Sequence, residues 1–121
     1  MFAGEYLSAS FPEVCSVFDD AVQKAAASHP SSEEWLRPRA PDRIRHVSAG
    51  VASLHLEWPD PDAPGGWSTG EVRVLQVQSG PAPRTELMIA APVTVPADAA
   101  HRFLESLAAS VQRALSLATP A

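Results

Sequence analysis

The sequence contains one cysteine, Cys15, and this scarcity limits the chemistry open to the chain. A single thiol cannot form an internal disulfide or a zinc site built from several thiolates. Its apolar neighbours Val14, Val17 and Phe18 predict a buried, inert thiol rather than a nucleophile. The sequence therefore predicts no metal site, and it contains no motif that indicates a cofactor.

Basic residues are also scarce: 9 Lys and Arg stand against 14 Asp and Glu, which gives a formal net charge of −5. Binding to a phosphate backbone needs clustered cations, so nucleic acid is not an expected partner. Four arginines do lie close together, but acidic residues precede and interrupt them, and this pattern favours a solvated patch over an anion site. The arginines are Arg37, Arg39, Arg43 and Arg45, and the acidic residues are Glu33, Glu34 and Asp42.

Long apolar runs are missing too. None approaches the ~20 residues that a membrane-spanning helix needs, so no membrane span is predicted. The N-terminus has no basic segment followed by an apolar one, and we expect no secretory signal and a cytoplasmic location. The length of 121 residues suits a single core, which predicts one domain over residues 1–121.

Recognisable catalytic motifs are absent as well. The chain has no G-x-S-x-G elbow, no phosphate-binding glycine loop and no H-E-x-x-H helix. The strongest enzymatic candidate is His55 with Glu57, since an imidazole near a carboxylate can transfer protons near neutral pH. A metal-binding pair of His46 and His55 is less favoured than two solvated side chains on an exposed sheet face. We assign no catalytic residue and expect a protein that is not an enzyme.

What the sequence does contain is a strongly patterned C-terminal third. Residues Thr85 to Val95 alternate as a strand does, and a helix is predicted from about Ala97 to Leu117. Its apolar residues recur at steps of three and four, so the helix must lie on a surface made by the preceding strands. A charge at Leu107 is therefore expected to abolish folding. The apolar positions are Ala100, Phe103, Leu104, Leu107, Val111, Ala114, Leu115 and Ala118.

The rest of the chain supplies the other elements. A first strand is predicted over Phe2 to Ser10, and the S-x-x-E pair of Ser10 and Glu13 predicts a capped helix that ends near Ser28. A short helical turn is predicted around Ser31 to Leu36. An extended hairpin then runs from Asp42 to Trp58, a loop carries Trp67, and a strand runs from Gly70 to Gln78 with a one-residue bulge.

The hairpin turn is predicted at Ala49 and Gly50, which pairs Val47 with Ala52 and His46 with Ser53. The pleat then separates the side chains into two groups. Val47, Ala52, Leu54, Leu56 and Trp58 are expected on an apolar face, and His46, Ser53, His55 and Glu57 on a polar face that points to water.

The order is therefore strand, helix, short helix, four strands and long helix. Antiparallel hairpins dominate and the helices lie towards the ends of the chain. This order predicts the α+β class, with a curved antiparallel sheet under the last helix.

Four short stretches carry a resemblance to a known superfamily. They are Ser-Phe-Pro-Glu-Val at the start of the first helix, Glu34-Trp35-Leu36, the strand end from Leu54 to Trp58, and Arg84 to Leu87. Together with the element order, they resemble the START and polyketide-cyclase (SRPBCC) superfamily, in particular the short domains related to activators of chaperone ATPases. The resemblance implies a helix-grip fold, in which the sheet wraps the C-terminal helix around a cavity for a lipid-like or polyketide-like ligand. This chain has five predicted strands where full-length members have more, which implies a smaller or more open cavity.

By position, the resemblance implies a ligand site between the sheet and the last helix, with two tryptophans at its mouth. Core packing produces the same apolar spacing and is the more ordinary explanation for each residue alone. The leading hypothesis is a non-enzymatic module that binds an apolar small molecule. The alternatives are a protein-interaction or homodimer module with a filled core, and a small cyclase or hydrolase that uses His55 and Glu57. The implied site residues are Trp35, Leu54, Leu56, Trp58, Trp67, Leu87, Ile89, Phe103, Leu107 and Val111.

Overall fold

Among the residues that the structure describes, a five-stranded antiparallel sheet forms one layer and two α-helices form the other. The computed structural model describes residues 2–27 and 38–118. The strands lie in the order β1-β5-β4-β3-β2, so β1 and β2 are the edges. In chain order the elements are β1 Phe2–Leu7, α1 Phe11–Ala27, β2 Arg45–Ser48, β3 Val51–Pro59, β4 Trp67–Gln78, β5 Arg84–Ala90 and α2 Ala97–Ala118.

Helix α1 begins as its sequence predicts. The Ser10 hydroxyl oxygen accepts a hydrogen bond from the Glu13 backbone N–H at 3.3 Å, and the Glu13 carboxylate accepts one from the Ser10 N–H at 3.4 Å. This reciprocal capping box satisfies two backbone donors that the first turn leaves unpaired. The chain therefore changes from strand to helix within a few residues of Leu7.

Helix α2 confirms the long C-terminal helix, and its apolar stripe is buried against the sheet and against α1. We call the side of the sheet that both helices cover the inner face and the opposite side the outer face. Phe103, Leu107 and Val111 are at most 1% exposed. The class is therefore α+β with an antiparallel sheet against a C-terminal helix, as predicted and consistent with a helix-grip fold.

The predicted register of the β2–β3 hairpin is wrong. Ser48 pairs with Val51 across the turn, but His46 pairs with Ala52 because Val47 forms a bulge. The bulge leaves Val47 60% exposed and lets the His46 ring contact the Phe11 ring edge-on, with centroids 5.9 Å apart. His46 is therefore on the inner side and His55 on the outer side, which separates the two histidines that were predicted to share the polar face.

Several strand boundaries also differ from prediction. Strand β2 begins at Arg45 rather than Asp42, and β4 begins at Trp67 rather than Gly70, so Trp67 lies in a strand and not in the predicted loop. Strand β1 ends at Leu7 rather than Ser10. Strand β5 ends at Ala90 rather than Val95, because Pro92 has no N–H for the ladder and its carbonyl accepts a hydrogen bond from the Val95 N–H at 3.0 Å. Strand β4 does contain a one-residue bulge, but it lies at Val77 and not between Val74 and Leu75, where the change in the apolar pattern predicted it.

Three further expectations concern other parts of the chain. Cys15 is half-buried rather than buried, and its partial burial raises the pKa of the thiol, which favours the unreactive protonated form. The helical turn predicted over Ser31 to Leu36 lies outside the described residues. Within residues 2–27 and 38–118, no helix has both the length and the apolar character to cross a bilayer.

A candidate ligand-binding cleft on the outer face

The site that the resemblance implies corresponds to the packed interior. Eight of its ten residues are at most 1% exposed. The rings of Trp58 and Phe103 meet edge-to-face, with centroids 6.4 Å apart and planes at 78°. These eight residues are Leu54, Leu56, Trp58, Leu87, Ile89, Phe103, Leu107 and Val111.

Gly70 shows how closely the side chains fit in this interior. A Cβ atom at this position would lie 2.4 Å from the Ala90 carbonyl oxygen and 2.5 Å from Cζ3 of Trp58. Only glycine lets the indole lie against the backbone of β4 at this distance. The Trp58 ring therefore occupies space that any side chain at residue 70 would need.

Trp67, one of the two tryptophans predicted at the mouth, does not join this interior. Trp67 is half-buried, and its register partner is Pro59, whose side chain belongs to the outer face. The Arg39 guanidinium lies 3.6 Å from the centroid of the Trp67 ring. Trp35 lies outside the described residues. Ligand binding by the ten predicted residues stays a prediction.

A cleft of about 870 Å³ lies on the outer face. Strands β3 and β4 form its floor, and residues just before and at the start of β2 form one wall. We call this the outer cleft. Its lining residues are Asp42, Arg43, Arg45, Ser53, His55, Thr69, Gly70, Glu71, Ala90 and Ala91.

Two anchors hold the wall segment that carries Asp42 and Arg43. On one side, Arg39 and Glu57 exchange two backbone hydrogen bonds of 2.8 and 2.9 Å, and their side chains form a salt bridge of 2.8 Å. On the other side, the Ile44 N–H donates to the Asp19 carboxylate on α1 at 2.7 Å. The segment between these anchors therefore stays beside β3.

The outer cleft contains both acidic and basic groups. Glu71 forms a salt bridge of 2.9 Å with Arg73. Oδ2 of Asp42 lies 3.7 Å from Nδ1 of His55, which is too long for a hydrogen bond but within the range of an ion pair. Within the described residues, Arg43 and Arg45 form no ion pair, and both are exposed.

The second ring nitrogen of His55 is also unusual. This nitrogen, Nε2, is shielded from solvent and has no hydrogen-bond partner among the described residues. Native structures leave few such atoms, because an unpaired buried polar group costs about 1–3 kcal/mol. This atom belongs to a residue that lines the outer cleft.

The enzymatic pair predicted from sequence is arranged differently in the structure. His55 and Glu57 share the outer face, as predicted, but Glu57 pairs with Arg39 and the carboxylate against His55 is that of Asp42. Within the described residues, no three His, Cys, Asp or Glu side chains converge as a metal site would require.

The loop between β3 and β4 is organised by Asp60. Its carboxylate accepts hydrogen bonds from the Ser68 hydroxyl and from the Asp62 N–H. Its backbone N–H donates to the Gly66 carbonyl oxygen at 2.9 Å. The hydrogen bond from Ser68 is the main reason that the pKa of Asp60 is lower than usual.

Glu5 on β1 has a pKa shift in the opposite direction from that of Asp60. Its pKa is raised, first by burial and then by the negative charge of Glu105 on α2. Its register partner Leu87 is an inner-face residue, so the carboxylate lies on the side that the helices cover.

Sequence reasoning did not find the outer cleft. It placed Ser53, His55 and Glu57 on one polar face correctly, but it expected that face to point to water. The backbone bridge between Arg39 and Glu57 was the unseen element, because a single bridge pair leaves no periodic pattern. The cluster of arginines between residues 37 and 45 was the one available signal.

No protein-family model matches the chain, and no curated protein matches it. Solved structures with a similar backbone include TTHA0849 from Thermus thermophilus, with 15% identity, a TM-score of 0.47, and coverage of 94% of this chain and 97% of that one. The di-domain ARO/CYC StfQ from the steffimycin biosynthetic pathway has 14% identity and a TM-score of 0.49, and the match covers 95% of this chain and 44% of StfQ. CalU16 from Micromonospora echinospora has 12% identity and a TM-score of 0.33, with 96% and 85% covered. Similarities this distant concern the fold alone.

Proposed function

We propose that this protein is a small-molecule-binding module without a catalytic role, and that its ligand occupies the outer cleft. The volume of this cleft, about 870 Å³, carries the proposal. Pockets that hold small molecules typically measure about 300–1,000 Å³ and present a few converging polar groups. Ser53, His55 and Arg45 supply such groups from neighbouring strands.

The predicted interior site, with an apolar ligand between the sheet and α2, is a competing location for the same function. Binding there requires Trp58 to separate from Phe103, which breaks an aromatic contact and opens the packed core. No comparable rearrangement is needed in the outer cleft, because Arg43, Arg45 and Thr69 are already exposed. Binding in the outer cleft therefore requires less free energy for rearrangement of the protein than binding in the interior.

A thermal-shift screen with polar metabolites, fatty acids, sterols and aromatic polyketides tests the proposal, since a ligand of the folded state raises Tm. The informative variant is Thr69→Tyr, which adds a ring to the cleft floor. Gln78→Tyr is the matched control, because residue 78 is exposed on the same strand but does not line the cleft. We expect the stabilising compounds to lose their effect with Thr69→Tyr and to keep it with Gln78→Tyr. Stabilisation that survives in both variants would contradict the proposal.

A homodimer is the second candidate function. The filled interior favours it, as do the edges β1 and β2, which each pair with one strand only. Unpaired edges are sites where another chain can add its strand. Sedimentation velocity over a hundredfold range of concentration tests this candidate. A single monomeric species throughout would rule the homodimer out at those concentrations and leave the binding module.

A further inference from the structure

We propose that the outer cleft selects a small organic anion, a carboxylate or a phosphate monoester, and that Arg43 and Arg45 recognise its negative charge. This inference rests on the proposed function, because it names the ligand class for the same cleft.

Five of the eight Lys and Arg residues in the described part of the chain already have a carboxylate or an aromatic ring as a partner. Four of them form salt bridges with carboxylates, and Arg84 lies over the Tyr6 ring at 4.4 Å. Within residues 2–27 and 38–118, Arg43, Arg45 and Arg113 have neither kind of contact. Two of these three line the outer cleft. The four cations in salt bridges are Lys24, Arg39, Arg73 and Arg102.

The two carboxylates that line the cleft lie close to other side chains. Glu71 is held by Arg73 at 2.9 Å, and Asp42 lies 3.7 Å from the His55 imidazole. Neither of them pairs with Arg43 or Arg45. Among the described residues of a chain with a net charge of −5, two cations without a carboxylate partner therefore lie in one concave place.

Arginine is well suited to this task. Its planar guanidinium offers several N–H donors that match two oxygen atoms of a carboxylate or phosphate, and it stays charged at all physiological pH values. Arg45 pairs across the sheet with Ser53, so its side chain leaves the sheet on the side of the cleft. The anchors at Arg39 and Ile44 keep Arg43 at the same wall. Arg43, Arg45 and Ser53 thus line one volume.

Three compounds with the same ring and different charge test the inference: benzoate, benzamide and benzamidine. Each is titrated into the full chain while NMR follows the His55 imidazole and calorimetry measures Kd. We expect benzoate to shift the His55 signals in a saturable way, with benzamide and benzamidine at least about tenfold weaker. A phenyl phosphate titration distinguishes the two anion types, and saturable binding of either one supports the inference.

Variants then assign the binding to the two arginines. The double variant Arg43→Gln/Arg45→Gln should weaken binding of the anion at least about tenfold, because two charge-assisted contacts are lost. Arg113→Gln removes an exposed cation on α2 and should leave Kd unchanged. Arg43→Lys/Arg45→Lys keeps the charge and should recover part of the affinity. Circular dichroism of each variant checks that the fold is intact.

The outcomes separate this inference from the proposed function. If benzamide or benzamidine shifts His55 as strongly as benzoate, or if the double variant binds benzoate normally, the inference is overturned and the cleft remains a ligand site. If no anion in the series shifts His55 but a neutral compound from the screen does, the inference is overturned in the same way. If no compound of any charge acts at the cleft, the proposed function fails together with the inference.

Discussion

The two faces of the sheet use their residues in opposite ways. The inner face is covered by both helices, and its large side chains, such as Leu54, Leu56 and Trp58, have almost no exposure. The outer face is bounded at one edge by a bridged segment and leaves a cleft of about 870 Å³. The apolar surfaces of the two helices and the sheet are buried against one another in the core, so this cleft lies on the polar side of the sheet. Five predictions test this division, in order of decreasing effect.

Replacing Leu107 should have the largest effect, because the residue is fully buried at the centre of the α2 stripe. Leu107→Ala should lower the free energy of unfolding by about 2–5 kcal/mol, and Leu107→Asp should remove the folded state. The control is Leu117→Ala on the same helix, where the side chain is 79% exposed and the change should stay within about 0.5 kcal/mol. Urea denaturation followed by circular dichroism measures both. Equal losses at the two positions would show that the stripe is not the contact surface.

Adding a single methyl group to the inner face comes next. Gly70→Ala places a Cβ atom against Trp58 and the Ala90 carbonyl oxygen, and the strain should cost an amount at the upper end of about 1–3 kcal/mol. Thr69→Ala, one residue earlier and exposed, is the control and should cost much less. Urea denaturation measures both variants, and the NMR signal of the Trp58 indole N–H should shift only for Gly70→Ala. A Gly70→Ala variant as stable as the parent would mean that the interior has free space, which would favour the predicted interior site.

A buried hydroxyl on the inner face gives a third test. Thr85 is fully buried, and its hydroxyl donates to the Ala9 carbonyl oxygen at 2.7 Å. Thr85→Val keeps the shape but leaves that oxygen without its partner, and it should cost about 1–3 kcal/mol. Thr69→Val is the matched control on the outer face and should change little. If both variants have the same stability, the link between β5 and the start of α1 has no energetic role.

The loop between the strands of the cleft floor gives a pH-dependent test. Because the folded-state pKa of Asp60 lies below its ordinary value of 3.8, its contribution to stability is fully present above that value and is lost as pH falls through the lower folded pKa. Asp60→Asn should therefore destabilise the protein at neutral pH, and the difference from the parent should shrink at strongly acidic pH. Unfolding free energies measured across the acid range check this sign. A difference that stays constant with pH would show that the hydrogen bond from Ser68 does not favour the ionised carboxylate.

Glu5 should show the smallest effect, with the opposite sign. Its folded-state pKa lies above the ordinary value of 4.5, so its contribution to stability is most favourable below that value and is lost as pH rises through the folded pKa. Glu5→Gln should make the protein slightly more stable at neutral pH and should have no such advantage at acidic pH. The same titration of unfolding free energy measures it. A variant less stable than the parent at neutral pH would contradict a burial penalty at this site.

The inner face was predictable because it depends on periodic patterns. Alternation placed Leu54, Leu56 and Trp58 on one side, and steps of three and four placed Phe103 and Leu107 opposite them. The capping box of Ser10 and Glu13 marked the start of α1. Each of these signals depends only on the spacing of residues that are close together in the sequence.

The outer cleft could not be predicted because it depends on contacts between distant residues. The bridge from Arg39 to Glu57 joins positions 18 residues apart, and the hydrogen bond from Ile44 to Asp19 joins positions 25 apart. The bulge at Val47 also reversed the side on which His46 lies, since one extra residue exchanges the faces of a strand. Neither long-range pairing nor a bulge at an exposed valine alters the apolar pattern.

The most direct test of the division is an NMR titration with the compound that raises Tm most in the screen. The Trp58 indole N–H reports on the inner face, and the His55 imidazole reports on the outer cleft. We predict saturable shifts of the His55 signals while the Trp58 signal stays in place. A saturable shift of Trp58 with His55 unchanged would place the ligand between the sheet and α2 and would contradict the outer-cleft assignment.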